Sequence, residues 1–132
     1  MPSNVAWFER LMYLDIGFSV LIMILEHGQL SEEELAQIGI SYQIVSLLYV
    51  VFLLVLIWLT VQLRMNWARW TLLALFILSD LSIVYDAMTE HTQHETLVTS
   101  LLNVATFGLE ITAFYLIFTG DARAWFKKQR TV

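Results

Sequence analysis

The chain has 132 residues, of which 58% are hydrophobic and only 14% are charged. A soluble domain usually carries about 25% charged residues, so this composition is typical of a single membrane-embedded domain. The net charge of −5 argues against a nucleic-acid partner, and the absence of cysteine excludes disulfides, thiol redox chemistry and c-type haem attachment.

The first predicted helix covers about residues 7–26, with Asp15 inside its short apolar stretch. Little positive charge precedes this stretch and no small-residue cleavage site follows it, so we expect a transmembrane helix rather than a cleaved signal peptide. Ser31 and Glu34 then have the spacing of a capping box, which predicts that the next helix begins near Glu32.

The second helix contains the longest apolar stretch of the chain. Residues 35–63 are 29 positions without a single charged residue or histidine, and as a helix they extend about 43 Å at 1.5 Å per residue. The hydrocarbon layer is about 30 Å thick. We therefore expect a span at about residues 38–63, preceded by an interfacial turn with a bend at Gly39 or compensated by a tilt.

Two further spans are predicted at about residues 70–88 and 96–120, with Asp80 and Glu110 near their centres. The tail from 121 to 132 is basic and amphipathic. Short connections make consecutive helices antiparallel neighbours, so the sequence predicts an all-α fold, an up-down bundle of four transmembrane helices in one domain.

Charge distribution predicts the orientation of this bundle. With four spans, both termini and the turn between the second and third helices share one side, and that side holds all seven basic residues: Arg10, Arg64, Arg69, Arg123, Lys127, Lys128 and Arg130. All five tryptophans lie near the same side. Positive residues stay on the cytoplasmic side, so we expect both termini in the cytoplasm.

Three carboxyl groups, those of Asp15, Asp80 and Glu110, are predicted to lie inside the membrane. A charge at the centre of a membrane helix costs about 2.5–3.5 kcal/mol or more, and no Lys or Arg lies at the same depth. These acids must therefore be protonated, hydrated, hydrogen-bonded or bound to a cation. Each helix has one semi-polar face, which in lipid turns inward, and the nearby polar residues on these faces include Ser79, Ser82, Asn103 and Thr106.

Three explanations of these acids remain open at this point. Protonated Asp80 and Glu110 can act as structural glue by bonding Ser, Thr, Asn or Tyr on neighbouring helices. The same groups can form a path for protons or cations, or they can bind a basic residue of a partner protein. Because Asp80 and Glu110 share a depth on adjacent helices, we expect them to lie close together inside the bundle.

The outer loop contains the only candidate metal ligands, Glu90, His91, His94 and Glu95. Their spacing is not a specific motif, so we interpret them as a hydrated polar loop and predict no metal and no cofactor. A buried bis-histidine haem is not expected either, since the histidines lie at helix ends.

A stripe of small residues, Ala105, Gly108 and Thr112, lies on the fourth helix. Such a stripe permits close approach of a second helix, so we expect it to serve helix packing.

The two ends of the chain carry a resemblance to known proteins. Residues 5–11 (VAWFERL) and 121–126 (DARAWF) resemble the ends of a group of small, uncharacterised bacterial four-helix inner-membrane proteins. The resemblance implies a location in the bacterial inner membrane and implies no activity.

The sequence contains no catalytic set: no nucleophile–base pair and no glycine-rich phosphate loop. We therefore expect a non-enzymatic accessory or scaffold subunit of a membrane complex, with the lipid bilayer and either further copies or a larger complex as partners. The alternative is a small proton or cation channel or transporter that uses its intramembrane carboxylates.

Overall fold

The computed structural model describes residues 1–89 and 97–128, and every regular element in these ranges is helical. The helices are α1 (Ser3–His27), α2 (Glu32–Val61), α3 (Asn66–Met88), α4 (Leu97–Phe118) and α5 (Gly120–Lys127). The prediction of an all-α fold is confirmed. Helices α2, α3 and α4 are long and apolar enough to cross a membrane. Helix α1 has the length, but its charged residues make it less apolar.

Helix α2 begins as its local sequence predicts. The Ser31 hydroxyl accepts a hydrogen bond from the backbone N–H of Glu34, and the Glu34 carboxylate accepts one from the Ser31 N–H at 2.8 Å. This reciprocal capping box satisfies two N–H groups that the first turn leaves without helical partners. The predicted bend is also confirmed: Gly39 has φ 69° and ψ 165°, which only glycine adopts readily, and it divides α2 into 32–38 and 40–61.

Helix α1 begins at Ser3, four residues before the predicted start of the first span. Its first N–H groups are capped by a residue from the other end of the chain. The Asp121 carboxylate accepts hydrogen bonds from the N–H of Ser3 at 2.9 Å and of Asn4 at 3.2 Å. The Asn4 amide in turn donates to the carbonyls of Leu116 and Thr119. The two chain ends are therefore fastened to each other.

The fourth helix ends at Phe118 rather than at residue 120, and the tail forms a separate helix, α5. Gly120 makes this change of direction with φ 57°, a backbone conformation that favours glycine. As predicted, α5 is amphipathic: it turns Ala122 and Phe126 into the bundle and leaves its basic residues exposed.

The core lies at the end of the bundle that holds the chain termini. Helix α1 packs most extensively on α4, and α2 on α3. At the centre of this core, the Phe114 ring contacts Phe8 and Phe76 edge to face, with centroid separations of 6.0 and 5.6 Å. We call this region the closed half. Its other buried residues include Val5, Met12, Leu56, Ile57, Val61, Ala68, Leu72, Ala113 and Ile117.

The opposite end of the bundle is loosely packed, and we call it the open half. Residues 81–88 of α3 are exposed all round, as are residues 40–45 of α2. Helices α3 and α4 have few contacts with each other. The four long helices therefore meet tightly at one end and separate toward the other.

Candidate functional site

A cavity of about 820 Å³ lies between the four long helices where they begin to separate. Its walls come from residues 15–26 of α1, 45–53 of α2, 76–86 of α3 and 103–110 of α4. The polar residues that line it are Asp15, Ser19, Glu26, Ser46, Tyr49, Ser79, Asp80, Asp86, Asn103, Thr106 and Glu110. The semi-polar faces of four helices thus meet in one space.

The deepest carboxyl groups of the cavity are those of Asp15 and Glu110. Asp15 is 1% exposed and Glu110 is 9% exposed, although both line the cavity. They lie on α1 and α4, the most closely packed pair of helices. One helical turn further toward the termini, Met12 and Phe114 belong to the buried core. The two acids therefore stand at the floor of the cavity, directly above the apolar closed half.

Among the described residues, three of the four oxygens of these two carboxyl groups lack a hydrogen-bond partner. Within the described residues, neither oxygen of Asp15 has a hydrogen-bond partner, and Oε2 of Glu110 has none. The nearby hydroxyls bond to their own helices instead: Thr106 donates to the carbonyl of Asn103 at 2.8 Å, and Ser46 donates to that of Tyr42 at 2.9 Å. A buried polar atom without a partner is costly, so these oxygens are available to an incoming donor or cation.

Asp80 lies on the α3 wall of the cavity and is partly buried. Glu110 interacts electrostatically with both Asp15 and Asp80, and Asp80 lies close enough to Glu110 for a side-chain hydrogen bond. A hydrogen bond between two carboxyl groups requires a proton on one of them. The structure thus brings Asp15, Asp80 and Glu110 into one interacting group.

The cavity contains acids without a compensating base. Every described Lys and Arg lies at the closed half, and none lines the cavity. Three of these bases lie over aromatic rings there, and the first is Arg10, whose guanidinium is 5.5 Å from the centroid of Trp7. The Arg64 guanidinium lies 3.4 Å from the centroid of Trp125, and that of Arg69 lies between Phe118 and Phe126. The negative charge of the cavity must be neutralised by protons or by a ligand.

The other predicted polar residues occupy different positions. Ser79, Asn103 and Thr106 line the cavity, whereas Ser82 is exposed and does not line it. Two apolar wall residues, Leu53 and Phe76, were not among the predicted site residues. No local signal separates them from other apolar positions, because their role depends on where the helices diverge.

The small-residue stripe does not pack against another helix of the described chain. Ala105, Gly108 and Thr112 are exposed, and a Cβ added at Gly108 would meet no atom within 4 Å. The stripe therefore joins no helices within the described chain, and a role in helix packing stays a prediction. The polar face of α4, rather than its small-residue face, turns inward, since carboxyl and hydroxyl groups that face lipid are costly.

The candidate metal ligands Glu90, His91, His94 and Glu95 lie outside the described residues. Within 1–89 and 97–128, no three His, Asp or Glu side chains are grouped to hold a metal ion. His27, at the end of α1, has its Nε2 atom 3.4 Å from the side-chain nitrogen of Gln43.

Comparisons with known proteins add no relative: no protein family, curated protein or solved structure matches the chain. Membrane insertion is supported by three helices that are long and apolar enough to cross a bilayer. The resemblance of the chain ends to small bacterial membrane proteins stays a prediction.

Proposed function

We propose that this protein is a single-domain, non-enzymatic protein of the bacterial inner membrane that crosses the bilayer four times. Three apolar spans support insertion, and α1 is a fourth helix of 25 residues packed along α4. Four crossings bring both termini to one side. The described basic residues cluster at that side, so we propose that the termini are cytoplasmic.

Within that bundle we propose that the cavity takes up protons or cations through its carboxyl groups. The observation that carries this proposal is a set of buried carboxyl oxygens at the cavity floor that have no described hydrogen-bond partner, namely both oxygens of Asp15 and Oε2 of Glu110. A hydrogen bond between Glu110 and Asp80 can join α4 to α3, but structural glue also requires donors to the remaining oxygens, and the nearby Thr106 and Ser46 hydroxyls donate to their own helices instead. An exchangeable proton or cation accounts for oxygens that have no fixed partner.

The packing of the closed half favours a transporter or binding protein over an open channel. Below Asp15 and Glu110 the space between the helices is filled by Phe8, Met12 and Phe114, which are buried. A dry apolar layer of this kind blocks ions, because moving a charge through it is costly. Ions from the open side can therefore reach the acids, but they can cross only if the closed half rearranges.

Purified protein in liposomes tests this proposal. We expect the wild-type protein to dissipate an imposed pH gradient, measured with a trapped pH-sensitive dye, and the Glu110→Gln and Asp15→Asn variants to lose that activity while still folding. Glu33→Gln is the matched control, because Glu33 is exposed in the first turn of α2 and does not line the cavity. Equal flux in wild type and both cavity variants would refute proton uptake through these acids.

An accessory subunit is the second candidate, and one observation favours it. Residues 81–88 of α3 are exposed all round, and α3 has few contacts with α4. A partner helix with a basic residue fits such a gap, since that residue would neutralise the acids of the cavity. Purification in mild detergent distinguishes the candidates: a stoichiometric larger complex supports the subunit, and a homogeneous preparation of this chain alone supports uptake.

A further inference from the structure

The volume of the cavity is larger than a proton or a single metal ion needs. At about 820 Å³ it falls in the range of roughly 300–1,000 Å³ that small-molecule sites occupy. Such sites are mainly apolar, with a few polar groups that fix the orientation of the ligand. The size of the cavity is therefore that of a site for an organic molecule.

The two regions of the cavity differ in character. The floor holds Asp15 and Glu110, whereas much of the wall is apolar and aromatic, with Val20, Leu53 and Phe76 as examples. A ligand that matches both regions has one positive group and an apolar body. No Lys or Arg of the described chain lines the cavity to compete for the acids.

The placement of the acids disfavours a metal ion as the ligand. Calcium takes six to eight oxygen ligands at about 2.3–2.6 Å, and no three described acidic or histidine side chains are grouped to hold a metal. Asp15, Asp80 and Glu110 interact electrostatically, but they do not form such a ligand group. A large monovalent cation, whose charge is diffuse, requires no such cage.

We propose that the cavity binds an amphipathic organic cation, an amine or quaternary ammonium compound with an apolar body. The positive group sits between Asp15 and Glu110, and the apolar body lies along Leu53 and Phe76. The Tyr49 ring also lines the cavity, and aromatic rings attract cations to their π-faces. This inference rests on the proposed uptake function, since it names the cation that the same acids receive.

Binding of such a cation exchanges one positive charge for another. A protonated carboxyl group at the floor releases its proton to the solution as the cation enters, and the carboxylate that remains pairs with the cation. The titratable groups that line the cavity are Asp15 and Glu26 on α1, Tyr49 on α2, Asp80 and Asp86 on α3, and Glu110 on α4. Acidic solution keeps carboxyl groups protonated, so it weakens binding.

The test is a binding titration of the full-length protein in detergent with tetraphenylphosphonium, a permanent apolar cation. We expect saturable binding that weakens at least tenfold in Asp15→Asn and in Glu110→Gln and is unchanged in Glu33→Gln. Triphenylphosphine oxide, a neutral compound with the same aromatic groups, should bind at least tenfold more weakly than the cation. Size-exclusion chromatography establishes that each variant is folded, and Asp80→Asn, at a partly buried position, replaces any variant that is not.

Three outcomes would overturn the inference. Equal binding of the neutral compound would identify the cavity as a site for any apolar molecule, lipid included. Equal binding by wild type and the cavity variants would indicate partition into the detergent. Displacement of the probe by calcium alone would identify an inorganic ion site.

The inference and the proposed function fail separately. Proton flux in liposomes that depends on these carboxyl groups, without binding of the probe, would support the proposed function. It would refute the site for an organic cation. Probe binding that depends on Asp15 and Glu110, without proton flux in liposomes, supports the cation site and removes the proposed proton transport.

Discussion

Replacing Phe114 by alanine tests whether the closed half holds the bundle together. Phe114 is 9% exposed, and its ring contacts Phe8 at 6.0 Å and Phe76 at 5.6 Å, so it joins α4 to both α1 and α3. Each edge-to-face pair contributes about 0.5–1.5 kcal/mol, hence about 1–3 kcal/mol for the two. Removal of the ring also leaves a void, and Phe→Ala in a packed core costs about 3–5 kcal/mol in total.

In a bilayer the transfer contribution to that cost is smaller, because lipid is itself apolar and packing supplies most of the stability. We therefore expect Phe114→Ala to lower the free energy of unfolding by about 3 kcal/mol. The assay is equilibrium unfolding in mixed micelles of a mild detergent and dodecyl sulfate, followed by circular dichroism.

Phe107→Ala is the matched control, because Phe107 lies on the same helix and is 50% exposed on the outside of the bundle. We expect that variant to differ little from wild type. If Phe114→Ala were no more destabilising than Phe107→Ala, the account of the closed half as the stabilising core would be refuted.

Three further predictions concern the backbone, the topology and the loop. Gly120→Ala should destabilise the protein by roughly 1–2 kcal/mol from its left-handed backbone alone, with a further clash because the new Cβ would lie 2.7 Å from Nδ2 of Asn4. Gly108→Ala meets nothing within 4 Å and should not destabilise the protein in the same unfolding measurement, because alanine favours a helix more than glycine does. A reporter that is active only in the periplasm should stay inactive when fused to the C-terminus, and activity there would contradict the proposed orientation. Protein purified without chelator should contain no stoichiometric zinc by elemental analysis; zinc that disappears in a His91→Ala/His94→Ala double variant would prove this wrong.

Local signals in the sequence were sufficient for some elements. The start of α2 at Glu32 and its bend at Gly39 follow from a capping box and a glycine, whose effects act within one or two helical turns. The start of α1 could not be predicted in the same way. Its cap comes from Asp121, 118 residues away from Ser3, and no local sequence pattern near Ser3 indicates that contact.

The polar faces of the helices could be read from spacing, but the shape between them could not. The spacing of polar residues along the helices placed Asp80 and Glu110 on faces that turn inward, since lipid excludes carboxyl groups. The spacing did not predict that the helices separate beyond Phe76, toward the open half, and leave a cavity. That separation depends on packing in the closed half. The exposure of the stripe around Gly108 could not be predicted for a related reason: small residues permit close approach of another helix without requiring it.

The hydrogen bonds between the two chain ends have a consequence for the biogenesis of the protein. Helix α1 leaves the ribosome first, yet its main contacts are with α4, and its first turn is capped by Asp121. Long-range contacts of this kind form only after the chain between them is made. Helix α1 is also not among the three helices that are long and apolar enough to cross a membrane by length and composition. Its place in the fold therefore depends on the last part of the chain, and a nascent chain that stops before residue 121 leaves α1 without its cap and open to quality-control proteolysis.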